Sequence, residues 1–251
     1  MSRITRSSLM LLAAVAAGTS LTARPAAAQQ PDGFLFRQPV GSVGFHFGYM
    51  VPGAGSEVFD FVNEQLTVDR SDFQTAVLGG ELAVRVTSRL DVALGISVSE
   101  SQTSSEFRDW VDADDLPIEQ VTSLRQVPIT ISAKAYLQEP GRKVGRLAWV
   151  PSSFAPYVGG GVGLVWYEFT QTGDFVDFDT LEVFNDFLKS DGNTFTAHGL
   201  VGADFSLTPR VVLTGEGRYS WGKGDMSQDF VDFDALDLSG FRATAGFKLR
   251  F

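Results

Sequence analysis

Residues 240–251 (GFRATAGFKLRF), the end of the chain, alternate without interruption. Phe241, Ala243, Ala245, Phe247, Leu249 and Phe251 fall on one side, and Arg242, Thr244, Gly246, Lys248 and Arg250 on the other. Successive side chains of a β-strand point to opposite faces, so this is a strand with one apolar wall and one cationic or small-residue wall. Chain ends are usually frayed and polar. This one stops on an aromatic ring, and the solvent that meets its apolar wall decides the fold. In hydrocarbon no unpaired strand edge is tolerated, so such strands must close into a barrel.

Seven further segments alternate with period two: 40–50, 75–86, 90–99, 121–137, 156–169, 195–207 and 211–221. In the third, Leu90, Val92, Leu94, Ile96 and Val98 oppose Asp91, Ala93, Gly95, Ser97 and Ser99. In the fifth, Val158, Val162, Leu164 and Trp166 face out, and Gly159, Gly161 and Gly163 face in. Two connections, 87–89 and 208–210, are tight; four, about 52–73, 100–120, 171–193 and 222–238, are long. That alternation suits hairpins crossing a membrane, with short turns on one side. The link 138–155 departs from it: it should be short, yet it is long and carries Gly141, Arg142, Lys143, Arg146 and Trp149, as a hairpin extension or a flap would. Tyr49, Trp166, Tyr219 and Trp221 lie near the long-loop ends, where an interfacial aromatic girdle belongs. The soluble alternative is a lipocalin-like barrel of opposite polarity, its aliphatics lining a ligand cavity.

The N-terminus reads as a cleavable secretory signal over 1–28: Arg3 and Arg6, an apolar run from Leu9 to Ala17, then Ala26-Ala27-Ala28 before Gln29. Residues 29–38 form a short periplasmic segment, and 39–251 the barrel. There are no cysteines, which removes disulfides and thiolate chemistry. Loss of Arg3, Arg6 and Arg24 with the signal moves the net charge from -10 to -13, a poor balance for binding nucleic acid.

Of the 30 acidic residues, 23 lie in the four long links, opposed there only by Arg70, Arg108, Lys189 and Lys223. DFVDFDTL (174–181) and DFVDFDAL (229–236) are near copies; EFRDWVDADDL (106–116) and EVFDFVNEQL (57–66) are looser relatives. One reading is strand extension, hairpins staying paired above the membrane. The other is a rim that binds Ca²⁺ or Mg²⁺ loosely, through Asp174, Asp177, Asp179, Asp229, Asp232 and Asp234, and bridges lipopolysaccharide; hard carboxylate oxygens suit those ions, though the spacing is not that of an EF-hand. The inward wall collects Glu81, Arg85, Asp91, Lys134, Asp204, Glu216, Arg218, Arg242, Lys248 and Arg250. In a narrow barrel these should pair, since an isolated buried charge costs several kcal/mol. They form either a salt-bridged plug or a polar conduit. His46 and His198 face inward as satisfied lumen residues; His198 is followed inward by Leu200, and no His–Ser pair with a supporting acid stands out.

With alternation, signal and terminal Phe251 together, the chain resembles the small outer-membrane β-barrel superfamily of OmpA-, OmpX- and OmpW-like proteins. PYVGGGVGLVWY (156–167), HGLVGADFSLTPRVVLTGEGRYSW (198–221) and the terminal strand carry the likeness, which spans the mature chain. It implies an all-β, eight-stranded antiparallel transmembrane barrel in the Gram-negative cell outer membrane, a monomer with both termini periplasmic. It also implies that Phe247, Leu249 and Phe251 are the C-terminal signal read by the barrel-assembly machinery, with periplasmic chaperones as earlier partners. Function follows less closely, because one fold hosts many activities. The leading expectation is a structural or surface-interaction role in contact with outer-membrane lipid and lipopolysaccharide, with no enzyme activity, catalytic residues or resident cofactor. The alternatives are a narrow porin-like or OmpW-like channel for small or hydrophobic solutes and, last, a lipid A-modifying barrel.

Overall fold

A computed structural model describes residues 33–251 except 113, 178, 179, 181 and 232. The signal segment 1–28 and the acidic residues Asp179 and Asp232 therefore lie outside the described residues.

Eleven strands are present: β1 Gly41–Pro52, β2 Thr75–Arg85, β3 Leu90–Val111, β4 Pro117–Tyr136, β5 Gly141–Val144, β6 Ala148–Pro151, β7 Phe154–Val176, β8 Val183–Ser206, β9 Val211–Gly224, β10 Leu236–Asp237 and β11 Gly240–Arg250. Eight of them form an antiparallel ring in the order β1-β2-β3-β4-β7-β8-β9-β11, closed by β11 on β1. Each predicted amphipathic segment is one stave. The terminal residue takes part in the closure: its carbonyl accepts from Val40 N at 2.8 Å, and its amide donates to Gly41 O at 3.0 Å.

The outer wall is apolar. Phe45, Phe47, Ile96, Ile131, Val162 and Phe195 are 53–80 % exposed there, more oily surface than a soluble monomer presents as one belt. Phe247, Leu249 and Phe251 belong to it. No described helix is long and apolar enough to cross a membrane. The polarity is the reverse of a lipocalin's. Gly161 illustrates how tightly the staves approach: a Cβ there would lie 2.0 Å from the Ile131 carbonyl oxygen, so the inward glycines of β7 let it run close against β4.

At the short-turn end the link 138–155 is a small hairpin, β5–β6, turned at Gly145 with φ +66°. Its Trp149 is 1 % exposed and pairs with the segment before β1 through Leu35, N–O distances 2.8 and 2.7 Å. The Arg250 guanidinium lies 5.4 Å from the Trp149 ring centroid, so the indole sits beneath the lumen wall.

The long-hairpin end differs from expectation in one element. Residues 100–120 and 171–193 do extend as paired strands, Ser99–Glu106 against Glu119–Gln126 and Gln171–Val176 against Val183–Leu188. The first link instead folds into helix α1 Glu57–Gln65, followed by a 3-10 turn Arg70–Phe73. Val58, Phe59 and Val62 share one helical face and are buried, whereas the strand reading followed the resemblance of EVFDFVNEQL to the DFVDFD phrase.

Candidate functional site

The interior of the ring divides into two stacked layers, and the division is legible along single strands. On β4 the inward residues run Lys134, Ser132, Thr130, Gln126 and then Leu124; on β7 they run Gly159, Gly161, Gly163 and then Val165, Tyr167 and Phe169. Below the change the lumen is ionic. Above it the mouth holds an apolar cluster, with Thr122, Gln120 and Gln171 buried alongside it.

Lys134 is the hub of the ionic layer. Its ammonium lies 2.7 Å from both Glu81 and Glu216, and the side chain is 2 % exposed. Glu216 also accepts from Arg218 at 2.8 Å and from the Tyr157 hydroxyl at 3.0 Å. Lys248 donates to Asp204 at 3.0 Å, and Asp204 accepts from the Tyr136 hydroxyl at 2.9 Å. Arg85 and Asp91 form a two-pronged pair at 2.8 and 3.0 Å. Lys134 and Lys248 each stand 5.1 Å from the Tyr157 ring centroid, so one buried phenol is shared by two cations. Two small cavities, of about 20 and 10 Å³, are lined by these side chains, each room for about one water.

The expectation that every lumen charge pairs needs correction. Arg242 and Arg250 are 6 and 7 % exposed, and among the described residues neither has an acidic partner. Arg242 donates to the Ser97 hydroxyl at 3.2 Å and Arg250 to Ser206 at 2.9 Å. Arg242 also lies directly across from Arg218 in register. The ten predicted lumen charges thus comprise six cations and four carboxylates, leaving the layer positive.

A His–Ser contact that the sequence did not reveal is present: Ser132 Oγ lies 2.8 Å from His198 Nε2. The residues are 66 apart and meet across β4, β7 and β8, where Ser132 and His198 both pair with Gly161. The missing Cβ of Gly161 leaves room for the imidazole, since a methyl group there would come 2.9 Å from His198 Cε1. Nδ1 of the ring has no hydrogen-bond partner, so no acid orients it, and both side chains are almost fully buried inside the ring, away from lipid. His46 projects into the lumen beside Gly79.

The apolar layer is a cap. Val58, Phe59 and Val62 of α1 pack with Phe73, Phe107, Ile118, Phe169, Phe230 and Leu236, joining all four long connections in one cluster. Phe59 meets Phe73 and Phe169 edge-on, at centroid distances of 5.1 and 5.9 Å, and Phe169 meets Phe230 at 5.4 Å. Of the phenylalanines in the acidic phrases, Phe59, Phe107 and Phe230 thus belong to the cap's core, whereas Phe175 stacks on Phe184 outside it.

Its carboxylates act mainly as internal acceptors. Asp234 and Asp237 receive the Glu57 and Gly55 amides, at 3.0 and 3.1 Å, at the start of α1, where helix N–H groups lack intrahelical partners. Asp229 receives the Lys189 amide at 3.0 Å on the free edge of β8, Asp174 receives the Asn185 amide nitrogen at 2.8 Å, and Asp177 receives the Thr180 amide at 3.0 Å. Among the described residues no three acidic or histidine groups are gathered at metal-holding spacing.

A last cluster lies on the outer wall. Arg125 stands 5.7 Å over the Trp166 ring and 3.8 Å from Glu100. Lys189 contacts Glu168 at 2.8 Å and Asp191 at 3.3 Å, and the Glu168 hydrogen bond raises its pKa above the ordinary lysine value.

No family model matches the chain, and no curated protein does. Solved structures do resemble it. The outer membrane protein OprG from Pseudomonas aeruginosa is 14 % identical, with a TM-score of 0.49 over 86 % of this chain and 99 % of that one. Neisserial surface protein A is 13 % identical, with a TM-score of 0.45 over 89 % and 100 %. The Escherichia coli outer membrane protein W is 16 % identical, with a TM-score of 0.38 over 86 % and 100 %. The likeness is one of fold.

Proposed function

We propose that this chain is a closed outer-membrane barrel that works at the cell surface through its capped end. The observation that carries the reading is the cap: an apolar cluster contributed by all four long connections fills the mouth directly above an ion-paired lumen. A solute would have to displace both layers, one held by hydrocarbon burial and the other by charges that are costly to separate. The protein is exported by its N-terminal signal, both chain ends are periplasmic, and the acidic cap faces outward. It is a monomer, and its assembly depends on Phe247, Leu249 and Phe251 being read by the insertion machinery after delivery by periplasmic chaperones.

It is not an enzyme in this reading. The Ser132–His198 contact has no acid behind it and no route to a lipid substrate. Its partners are outer-leaflet lipid, lipopolysaccharide included, and other surface molecules. Ca²⁺ or Mg²⁺ is held between exposed cap carboxylates and a partner's anions, not in a cage of the chain's own making.

Single-channel recording of the refolded mature chain in a planar bilayer tests this, with heat-modifiable gel migration confirming folding. A folded and silent barrel is expected. Reproducible conductance steps would replace the closed reading with the channel alternative.

A further inference from the structure

The outer wall changes from hydrocarbon to charge along one register line. Glu100, Arg125, Glu168 and Asp191 are successive cross-strand partners on β3, β4, β7 and β8, all facing outward. On the membrane side of that line stand Val98, Val127 and Trp166. One step further from the membrane the outward residues are Gln102, Ser123, Thr170 and Lys189, again in register. Within each row, neighbours across the strands have Cβ atoms about 5 Å apart.

The two cations of this patch differ in how far they are satisfied. Lys189 is held by two carboxylates, at 2.8 and 3.3 Å. Arg125 is not: its nearest carboxylate, Glu100, is 3.8 Å away, and its Nε has no hydrogen-bond acceptor. Its guanidinium is laid over Trp166 and its side chain is 33 % exposed, so the fork of donors is oriented but incompletely used. Guanidinium donors match phosphate oxygens in charge and geometry. Ser123 and Thr170, small hydroxyl residues, share the row of Lys189, one step beyond Arg125. The height of the patch, one residue beyond the apolar belt, is where lipid headgroups lie.

We propose that Arg125, with Ser123, Thr170 and Lys189, binds the phosphate of an outer-leaflet lipid headgroup. The site anchors one lipid against the β3–β4–β7–β8 side of the barrel. Glu100 and Glu168 hold the two cations apart and in place, and a divalent cation bridging a carboxylate to the phosphate strengthens the contact. This deepens the surface-interaction reading and rests on it, since it requires the capped end to face the outer leaflet.

The test is native mass spectrometry of the refolded mature chain with bis-phosphorylated lipid A or its fully dephosphorylated counterpart. The wild-type chain is expected to retain the phosphorylated lipid and not the other. R125Q should cut retention about tenfold, the loss of a charge-assisted contact, and K223Q, which alters an exposed lysine on β9 outside the patch, should leave it unchanged. Equal retention by R125Q and wild type, or equal retention of the two lipids, overturns the proposal. So does complete displacement by millimolar inorganic phosphate, which would indicate a site for the free anion. Orientation is read separately by surface labelling of D114C in intact cells. Labelled cells with unchanged R125Q retention refute the lipid site alone; unlabelled cells refute the outward cap and the lipid site together.

Discussion

At the scale of single residues, Lys134 is the point at which the ionic layer is most vulnerable. It neutralises Glu81 and Glu216 from a fully buried position, and removing it leaves Glu216 with Arg218 alone and Glu81 with only Lys248, 4.0 Å away. Breaking a buried pair by deleting one partner costs about 3–5 kcal/mol, whereas replacing the whole set by apolar groups can be neutral. K134M should therefore lower the urea midpoint of the barrel strongly, and the double change K134M/E81L, which leaves Glu216 paired with Arg218, should recover much of the loss. A flat response to K134M would mean that water, not protein, balances those carboxylates. The alternation that placed Lys134, Glu81 and Glu216 inward was readable from the sequence, because period two assigns each residue a face. Their convergence was not, since the three sit on β4, β2 and β9 and only ring closure and stave tilt bring their ends together. The same holds for Ser132 and His198, whose contact needs the empty space at Gly161.

At the scale of elements, staves were legible where hydrocarbon imposes alternation and were lost where it stops. β3 was read to Ser99 but continues to Val111, and β8 was read from Phe195 but begins at Val183. Beyond the belt the outward face meets water and the inward face mixes polar with apolar residues, so Ser101 and Ser105 share a buried face with Phe107 and no hydropathy pattern assigns it. The helix was hidden differently. Val58, Phe59 and Val62 have helical spacing, yet their phrase resembles strand-forming copies elsewhere; a free N-terminal turn to receive Asp234 and Asp237 distinguishes α1, and that is a tertiary fact. D234A should thus destabilise α1 by about 1 kcal/mol, as loss of an N-terminal acceptor does. Faster proteolysis within 57–65 at an unchanged barrel midpoint would report it. Tight approach of the staves leaves no room for a side chain at Gly161 of β7, Gly48 of β1 or Gly246 of β11. G161A places a methyl group against the Ile131 carbonyl oxygen and should abolish heat-modifiable folding, while alanine at Gly215, where the added carbon meets nothing within 4 Å, should not.

For the whole molecule, the two layers make separable predictions. The cap is built from residues outside the membrane, so weakening its centre should not dissolve the ring. F59A removes a fully buried ring, and such losses cost about 3–5 kcal/mol. With the cap loosened, the lumen beneath is exposed, and its unmatched Arg242 and Arg250 give it a positive interior. Deletion of α1, which takes Phe59 with it, should convert a silent barrel into one with anion-selective leak, read as reversal potential in a salt gradient. Cation selectivity would contradict the charge count.

The cap also has a position in time. Gly55 and Glu57 follow the first stave, and Asp237 and Asp234 precede the last; the bonds between them join residues 182 and 177 positions apart. They span the seam where β11 meets β1. A chain that enters the bilayer with that seam open has its first and fourth connections apart, and α1 then shows Val58, Phe59 and Val62 to water. Docking of the helix is thus a latch that only a completed cylinder can engage. An unlatched helix marks a ring that has not closed, with three apolar side chains uncovered and its backbone open to cleavage.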